Sequence, residues 1–400
     1  MDDYKRNKTW IGQNCLTNSK HENSHIRGIY PKTVIAGTNA TLIARDGANY
    51  KRYIDFICGL GTNLFGYGNN KICDAINRSI RNGISHSLPT HYEGLAAEKL
   101  SMLFPWVEKY KFICTGSQAC SAAVKMARAY TGRYIALSEG YHGHDDMFVS
   151  LTPPANGIPP HPHMAKLTNL SDITEHVAAV IVEPIITDHS IERIQWLADL
   201  RQKCTETGTV LIFDEVITGF RYLNYSVSQN YKIRPDLMCL GKAIGSGIPL
   251  AAVCGRSDIL DGNYFVSSTN AGNVAGLAAC IAGVELLTGS PDYNIERLWE
   301  SGQYFINKFN EMHDGIKLEG YPTRGSFVGD PMVKALFFQE CCRGGVMFGS
   351  SWFFNFDHLS DMDFVLETCE SVLNRINRGE IKLEGMMPES AFAAKVRENK

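Results

Sequence analysis

The segment VLIFDEVITGFR, residues 210–221, begins as an apolar run and then places two acids side by side, Asp214 and Glu215. A short run of Val, Leu, Ile and Phe predicts a buried strand. A carboxylate at the end of such a strand is unfavourable unless it has a partner. In open α/β sheets, ligands bind outside the carboxyl ends of the strands. We therefore expect Asp214 to face a ligand rather than the core.

The overall composition predicts a globular protein. The 400 residues are 44% hydrophobic and 20% charged, and the net charge is −3. This balance gives no sign of a nucleic-acid partner, and no apolar run reaches the length of a membrane span. The first 28 residues are polar and do not resemble a signal peptide. The 12 cysteines are scattered and contain no CxxC pair, so we expect reduced thiols and a cytoplasmic location.

Strand and helix patterns alternate over about 200 residues, which predicts an α/β fold with a mostly parallel sheet flanked by helices. Helical segments such as residues 117–132 and 192–208 end at a glycine, as helices commonly do. The pattern of residues 41–59 predicts a hairpin with its turn at Asp46-Gly47.

The C-terminal part has a different pattern and predicts a small α+β domain. Amphipathic helical patterns surround two apolar runs that we interpret as strands, KALFFQ (334–339) and WFFNF (352–356). The predicted organisation is an N-terminal segment, 1–70, that joins the small domain, a large cofactor-binding domain, 71–288, and the C-terminal small domain, 289–400.

Lys242 lies between glycines and apolar residues in CLGKAIGSGIPLAAVCG (239–255). A lone lysine of this kind is most often a surface residue on a loop. The alternative is an amine in a dry pocket that forms a Schiff base, since desolvation lowers the pKa of a lysine. Together with a buried aspartate, such a lysine suggests pyridoxal 5′-phosphate, whose ring nitrogen pairs with a carboxylate.

Two further segments could serve such a cofactor. In FICTGSQACSAAVKMARAYTG (112–132) a strand is followed by Gly116-Ser117 and then a helix, an arrangement that presents backbone N–H groups to a phosphate. In EGYHGHDD (139–146), Tyr141 and His142 follow a strand, and an aromatic ring there could stack on the cofactor. The spacing of the histidines and acids in this segment matches no familiar ligand set, so we expect no metal.

In combination, these motifs resemble the class III pyridoxal-phosphate-dependent aminotransferases, and within them the glutamate-1-semialdehyde 2,1-aminomutase group. The resemblance covers roughly residues 30–290 well and the C-terminal part loosely. It implies a fold type I transferase with a seven-stranded, mostly parallel sheet. The motifs that carry it are TGSQACSAAVKMARAYTGR, EGYHGHDD, VIVEP, FDEVITGFR, LGKAIGSGIPLAAVCGR and STNAGN.

The resemblance also implies roles for individual residues. Lys242 would carry the internal aldimine and move the proton between the substrate and the cofactor. Asp214 would pair with the ring nitrogen, while Tyr141 and Val216 would pack on opposite ring faces. We expect Lys242, Asp214 and Tyr141 to be the catalytic residues.

Other residues are implied to bind the cofactor or to support the site. Gly116 and Ser117 would hold the phosphate, and His142 and Glu183 would lie close to the ring. Thr269 of STNAGN would reach the phosphate bound to the other subunit, which implies a homodimer. Arg221 either contacts a substrate carboxylate or only holds its loop, and the sequence favours neither.

The sequence departs from the aminomutase pattern in two places. The stretch expected to form the gating loop, residues 148–167, is Pro-rich, shorter and stiffer. In the C-terminal part, an expected glutamate is replaced by Trp352, Phe353 and Phe354, which either favour a bulkier substrate or belong to the core.

We therefore predict an aminotransferase that works through a pyridoxamine intermediate and takes small-molecule donor and acceptor substrates. Glutamate-1-semialdehyde 2,1-aminomutase is the alternative, and a non-enzymatic or other-reaction member of the fold is a second alternative. A dinucleotide site is disfavoured, because Leu64 stands where GLGTNLFGYG (59–68) would need its third glycine.

Overall fold

The structure, a computed structural model, describes residues 3–46, 49–151 and 158–389. The chain divides into two compact units. The central unit comprises residues 61–65 and 69–299, and the terminal unit comprises residues 1–60, 66–68 and 300–400. The two compact units divide between residues 60 and 69 and again at 299/300. The domain boundaries predicted from the sequence, at 70/71 and 288/289, stay predictions.

The strands are β1 Val34–Thr38, β2 Thr41–Asp46, β3 Asn49–Asp55, β4 Lys109–Ile113, β5 Ile135–Glu139, β6 Met164–Lys166, β7 Val177–Val182, β8 Val210–Asp214, β9 Leu237–Leu240, β10 Ala251–Gly255, β11 Ile316–Tyr321, β12 Arg324–Gly329, β13 Val346–Met347 and β14 Ser351–Phe353. The helices are α1 Asp3–Trp10, α2 Cys58–Gly61, α3 Asn70–Ile80, α4 His91–Leu103, α5 Gly116–Thr131, α6 Asp146–Val149, α7 Ile191–Thr207, α8 Val227–Tyr231, α9 Ser257–Leu260, α10 Val274–Gly289, α11 Ile295–Met312, α12 Pro331–Arg343 and α13 Met362–Asn377.

The central unit contains the predicted seven-stranded sheet, in the order β4-β10-β9-β8-β7-β5-β6. Strand β10 is antiparallel to both of its neighbours, β4 and β9, and the remaining neighbours pair in parallel. Strands β4, β5, β6, β7, β8 and β9 therefore run in one direction and end at the same edge of the sheet. We call this the carboxyl edge.

The sequence of the inner strands accounts for their position. Every residue of β7 (VAAVIV) and of β8 (VLIFD) is buried, as expected of parallel strands that are covered on both faces. Helix α5 packs against this sheet with a face rich in alanine. It begins after Thr115, whose hydroxyl accepts a hydrogen bond from the backbone N–H of Gln118, and it ends at Gly132 in the left-handed conformation.

The terminal unit contains a four-stranded sheet, β1-β2-β3-β13, and a three-stranded sheet, β11-β12-β14. The predicted hairpin is confirmed as the antiparallel pair β2–β3, although Gly47 of its turn lies outside the described residues. The first strand of the second sheet, β11, pairs with β12, which in turn pairs with β14.

One predicted strand is wrong. Residues 334–339, KALFFQ, lie inside helix α12. This helix begins at Pro331, and the Asp330 carboxylate caps it by accepting hydrogen bonds from the backbone N–H groups of Met332 and Val333. A short apolar run does not by itself distinguish a strand from a buried helical segment, and here the helix-start signal Asp330-Pro331 precedes the run. The other predicted strand is confirmed in part, since β14 comprises residues 351–353.

The aromatic residues Trp352, Phe353 and Phe354 are core residues of the terminal unit. Trp352 and Phe354 are fully buried and Phe353 is nearly so. The Trp352 ring meets Phe305 edge-on with ring centroids 5.9 Å apart. Of the two interpretations of this patch, the structure supports the core and gives no support to a substrate pocket.

The cysteines agree with the sequence prediction, since all 12 are free thiols and most are buried. Among the described residues, none of the helices combines the length and apolar character needed to cross a bilayer.

Replacing Trp352 with Ala should destabilise the terminal unit by about 3–5 kcal/mol, because a fully buried ring leaves a cavity that its neighbours fill only partly. Trp10→Ala is the matched control in the same unit, since the Trp10 side chain is 78% exposed. Thermal unfolding of both variants tests this. If the Trp352→Ala protein unfolds at the same temperature as the Trp10→Ala protein, the assignment of Trp352 to the core is wrong.

Candidate active site

The predicted site residues lie in loops that leave the carboxyl edge. Gly116 and Ser117 follow β4, Tyr141 and His142 follow β5, Glu183 follows β7, Asp214 ends β8, and Lys242 follows β9. Contacts between these loops, described below, bring most of them together.

Asp214 is the last residue of β8, and only 4% of its surface is exposed. Its Oδ2 lies 2.8 Å from Nδ1 of His142 and 3.3 Å from the sulfur of Cys120. Its Oδ1 accepts a hydrogen bond of 3.0 Å from the backbone N–H of Val216. The carboxylate is therefore held by three donors from three different segments of the chain.

The His142 imidazole is buried with Asp214. Burial by itself lowers the pKa of a histidine, but the hydrogen bonds to Asp214 and Cys120 and the charge of Asp214 outweigh burial and raise the pKa of His142 to about 10. His142 is thus a cation at neutral pH, paired with the aspartate. Its Nε2 atom is buried and has no hydrogen-bond partner among the described residues.

Cys120, His142 and Asp214 also form a set of donor atoms that lie within 4.8 Å of one another. Around a tetrahedral Zn²⁺ with bonds of roughly 2.0 Å, two ligand atoms are about 3.3 Å apart. The separation of 2.8 Å between His142 Nδ1 and Asp214 Oδ2 is shorter and typical of a charge-assisted hydrogen bond. The geometry therefore favours a hydrogen-bonded cluster over a metal centre.

Glu215, the second acid of the opening segment, has a structural role. Its carboxylate is fully buried and accepts hydrogen bonds from the backbone N–H groups of Val227 and Ser228 and from the Thr218 hydroxyl. Burial raises its pKa, and these hydrogen bonds oppose that rise. Glu215 thereby anchors the start of helix α8 to the end of β8.

Arg221 is fully buried. Its guanidinium donates hydrogen bonds from Nε and Nη2 to the backbone carbonyl of Gly61, at 3.2 Å and 2.9 Å. The sequence left its role open between a substrate carboxylate and loop support. These contacts favour the role of holding the loop.

The N-terminus of α5 forms a cradle that fits an anion. Ser117 Oγ lies 3.1 Å from His144 Nδ1 and accepts a hydrogen bond of 3.1 Å from the His144 backbone N–H. Gly143 has a φ of +104°, and a Cβ on it would collide with Ser117 Oγ. The two loops therefore approach as closely as glycine allows, beside a helix N-terminus whose free N–H groups favour negative charge.

Val216 links this cradle to the lysine loop. A Cβ on Gly116 would lie 3.0 Å from the Val216 side chain, and a Cβ on Gly241 would lie 2.9 Å from it. Both glycines are thus in close contact with one aliphatic side chain. Because Lys242 follows Gly241 directly, Val216 lies between the anion cradle and the lysine.

Lys242 is half-buried and opens a 3-10 turn, Lys242–Gly245. Its φ is +48°, a left-handed conformation that costs a non-glycine residue on the order of 1–3 kcal/mol and is concentrated at functional sites. Strand β9 lies beside β8, and Asp214 is in register with Cys239. The amine and the carboxylate therefore come from the ends of neighbouring strands.

Tyr141 and Glu183 are adjacent. The Tyr141 backbone N–H lies 3.4 Å from Glu183 Oε2, and the side chain is about half exposed. Partial burial, and then the charge of Glu183, raise the pKa of Tyr141. Thr269 differs from the other predicted residues, since it is exposed in the segment before α10 and is not part of these contacts within the described chain.

Sequence reasoning missed two contacts in this cluster. From the sequence alone, neither Cys120 nor His144 has a predicted role. Cys120 lies four residues after Gly116 on α5, so one turn of the helix separates the anion cradle from the thiol. The sequence shows this spacing on the helix, but it does not show the contact with Asp214.

Most of the chain is similar in sequence to one protein family. The family model for aminotransferase class-III matches residues 30–349. The chain is 29% identical to the glutamate-1-semialdehyde 2,1-aminomutase of Syntrophobacter fumaroxidans, over 85% of this chain and 92% of that protein. It is 32% identical to glutamate-1-semialdehyde 2,1-aminomutase 1 of Lachnoclostridium phytofermentans, over 78% of each.

Solved structures share the fold. The FumI protein of Sphingopyxis sp. MTA144, in its PLP internal aldimine form, superposes with a TM-score of 0.87 at 23% identity, over 96% of this chain and 97% of that one. A β-phenylalanine aminotransferase from Variovorax paradoxus superposes with a TM-score of 0.80 at 22% identity, over 94% of each. An omega-transaminase from Sphaerobacter thermophilus superposes with a TM-score of 0.79 at 20% identity, over 93% of this chain and 96% of that one.

The His142–Asp214 pair should make stability depend on pH. The pKa of His142 rises from 6.5 to about 10 on folding, so its stabilising contribution is complete below pH 6.5 and is lost as the pH rises through 10. We expect His142→Asn to lower the thermal midpoint most at pH 6.5, with a difference from the wild type that shrinks as the pH rises toward 10.

The control for this experiment is His176→Asn, because the His176 side chain is 77% exposed. It should leave the midpoint unchanged at every pH. A His142→Asn difference that stays constant from pH 6.5 to pH 10 would show that His142 is not a buried cation.

Proposed function

The chain belongs to the class-III aminotransferase family, and from that premise we propose that it moves an amino group from an amino donor to a carbonyl group on a separate acceptor molecule. It is an enzyme of this family with pyridoxal 5′-phosphate as cofactor, and the predicted fold type I is confirmed. The sequence alternative of a non-enzymatic member is not retained. The intermolecular reaction and the roles of individual residues are our proposal.

The described residues fit pyridoxal phosphate. The cradle of Gly116 and Ser117 at the N-terminus of α5 suits the phosphate, and at Gly143 the contact with Ser117 Oγ leaves no room for a Cβ. Asp214 is a buried carboxylate at the strand end, where a cationic ring nitrogen would be its natural partner. Lys242 supplies a primary amine from the neighbouring strand.

When bound, pyridoxal phosphate withdraws electrons from the substrate carbon that loses a proton, and it carries the amino group between substrates. Asp214, held by His142 and Cys120, would pair its carboxylate with the ring nitrogen. The Lys242 amine takes up the proton from the substrate carbon and returns it. These two residues come from the ends of neighbouring strands, and that placement is the observation that carries the proposed cofactor chemistry.

The remaining residues position the cofactor in this proposal. Val216, which lies close to Gly116 and Gly241, would pack on one ring face, and Tyr141 would pack on the other. Glu183 supports the Tyr141 backbone. Thr269 is exposed on its own chain, which is compatible with a phosphate contact across a homodimer. The homodimer and a cytoplasmic location remain predictions.

The preference for an intermolecular reaction rests on residues 148–167. An aminomutase has to retain its intermediate, whereas an aminotransferase releases a product and binds a second substrate. This stretch contains five prolines, which fix φ and stiffen a loop. Its residues 152–157 lie outside the described structure. The second argument from sequence is weaker, because Trp352–Phe354 are core residues.

The second candidate function is glutamate-1-semialdehyde 2,1-aminomutase. It is supported by the names of the curated relatives, which are about 30% identical over most of the chain. The two reactions share the same cofactor chemistry and differ in whether the intermediate leaves the site.

Reaction with single substrates distinguishes the two functions. For an aminotransferase that uses glutamate, L-glutamate alone should change the visible spectrum of the holoenzyme and yield one equivalent of 2-oxoglutarate per site. Other amino donors should be tested in the same way, because the donor is not specified by the sequence. Conversion of glutamate-1-semialdehyde to 5-aminolevulinate without any donor would instead identify a mutase.

Borohydride reduction of the holoenzyme should fix the cofactor covalently to the peptide that contains Lys242. Lys242→Ala should abolish this labelling and lower turnover by several orders of magnitude, because the amine that moves the proton is lost. Peptide mapping by mass spectrometry provides the measurement.

Lys232→Ala is the matched control, since Lys232 has a similar left-handed φ of 57° but is exposed. It should keep both the label and the activity. Labelling of another lysine in the wild type would show that Lys242 is wrongly assigned.

A further inference from the structure

The thiol of Cys120 makes a contact that core packing alone does not require. Cys120 is buried on helix α5, one turn after the anion cradle, and its sulfur lies 3.3 Å from Asp214 Oδ2. The same helix thus provides the cradle at its N-terminus and a contact to the aspartate.

The thiol is protonated and is therefore the donor. Burial, and then the neighbouring Cys239 and Asp214, raise the pKa of Cys120 well above its ordinary value. A thiolate beside the Asp214 carboxylate would place two negative charges in a buried site. The S–H group instead donates a hydrogen bond to the carboxylate.

The three donors around Asp214 determine which part of the carboxylate is available to a ligand. A carboxylate offers about four acceptor positions, two on each oxygen. Cys120 and His142 occupy both positions on Oδ2, and the Val216 N–H occupies one on Oδ1. The remaining acceptor position is on Oδ1.

We propose that Cys120 is a positioning residue: with His142 it saturates Oδ2 of Asp214 and so directs the open position on Oδ1 at the ring nitrogen of the cofactor. This inference rests on the proposed function, in which Asp214 pairs with that nitrogen. A cysteine on α5, the helix whose N-terminus would hold the phosphate, would thus also affect how the ring is recognised.

The test compares two ligands that differ only at the ring nitrogen. Pyridoxamine 5′-phosphate cannot link to Lys242, so its binding is reversible, and its 1-deaza analogue has carbon in place of the nitrogen. Both dissociation constants are measured by titration of the apoenzyme. We expect the wild type to bind the nitrogen-containing ligand more tightly than its 1-deaza analogue. In Cys120→Val the ratio of the two dissociation constants should fall about fivefold, which is the effect of losing one hydrogen bond.

Cys120→Ser keeps a donor and should retain most of the preference, whereas Cys120→Ala should behave like Cys120→Val. The control is Cys280→Val, because Cys280 is buried as well. Burial alone raises the pKa of its thiol to about 12, and no carboxylate contributes to that rise. It should leave the preference unchanged. The ratio of two affinities in one protein cancels a general loss of folded material.

The outcomes separate this inference from the proposed function. If the wild type shows a preference and Cys120→Val and Cys120→Ala weaken both ligands equally, Cys120 only fills space and the inference is overturned. If the wild type itself does not distinguish the ligands, or binds neither, the pairing of Asp214 with the ring nitrogen fails, and the proposed function fails with it.

Discussion

The site depends on the buried carboxylate of Asp214. A negative charge that is only 4% exposed is unfavourable unless it is paired and hydrogen-bonded, and here His142, Cys120 and the Val216 N–H provide the donors. These donors come from helix α5 and from the loops after β5 and β8. One carboxylate therefore fixes three segments of the carboxyl edge relative to one another, and it carries the charge that a cationic ring nitrogen would need.

The sheet explains why these segments meet at all. Six strands run in the same direction, so the residues that follow them lie at one edge, even though they are far apart in sequence. Close packing then requires glycine at particular positions, such as Gly143 against Ser117 and Gly241 against Val216. Strain at Lys242, with its φ of +48°, is maintained by the same packed surroundings.

Much of this arrangement could be predicted from the sequence, because strand ends are visible as apolar runs that stop at polar residues. This rule predicts Asp214 at a strand end and Tyr141 and His142 just after a strand, and α5 after Gly116 follows from its strand–glycine–helix pattern. The failures have physical causes. KALFFQ is too short to show a period, and β11 (IKLEGY) carries charges and glycine that hide a strand. The partner of the Cys120 thiol depends on packing between α5 and β8, which no local pattern encodes.

The central claim is that the carboxyl edge binds pyridoxal phosphate through the residues that the fold gathers there. The most direct measurement is a crystal structure of the protein with this cofactor. We predict the phosphate at Gly116 and Ser117, the ring nitrogen within hydrogen-bonding distance of the Asp214 carboxylate, and a covalent link to Lys242. Cofactor density at another place, or a ring whose nitrogen faces away from Asp214, would contradict the account.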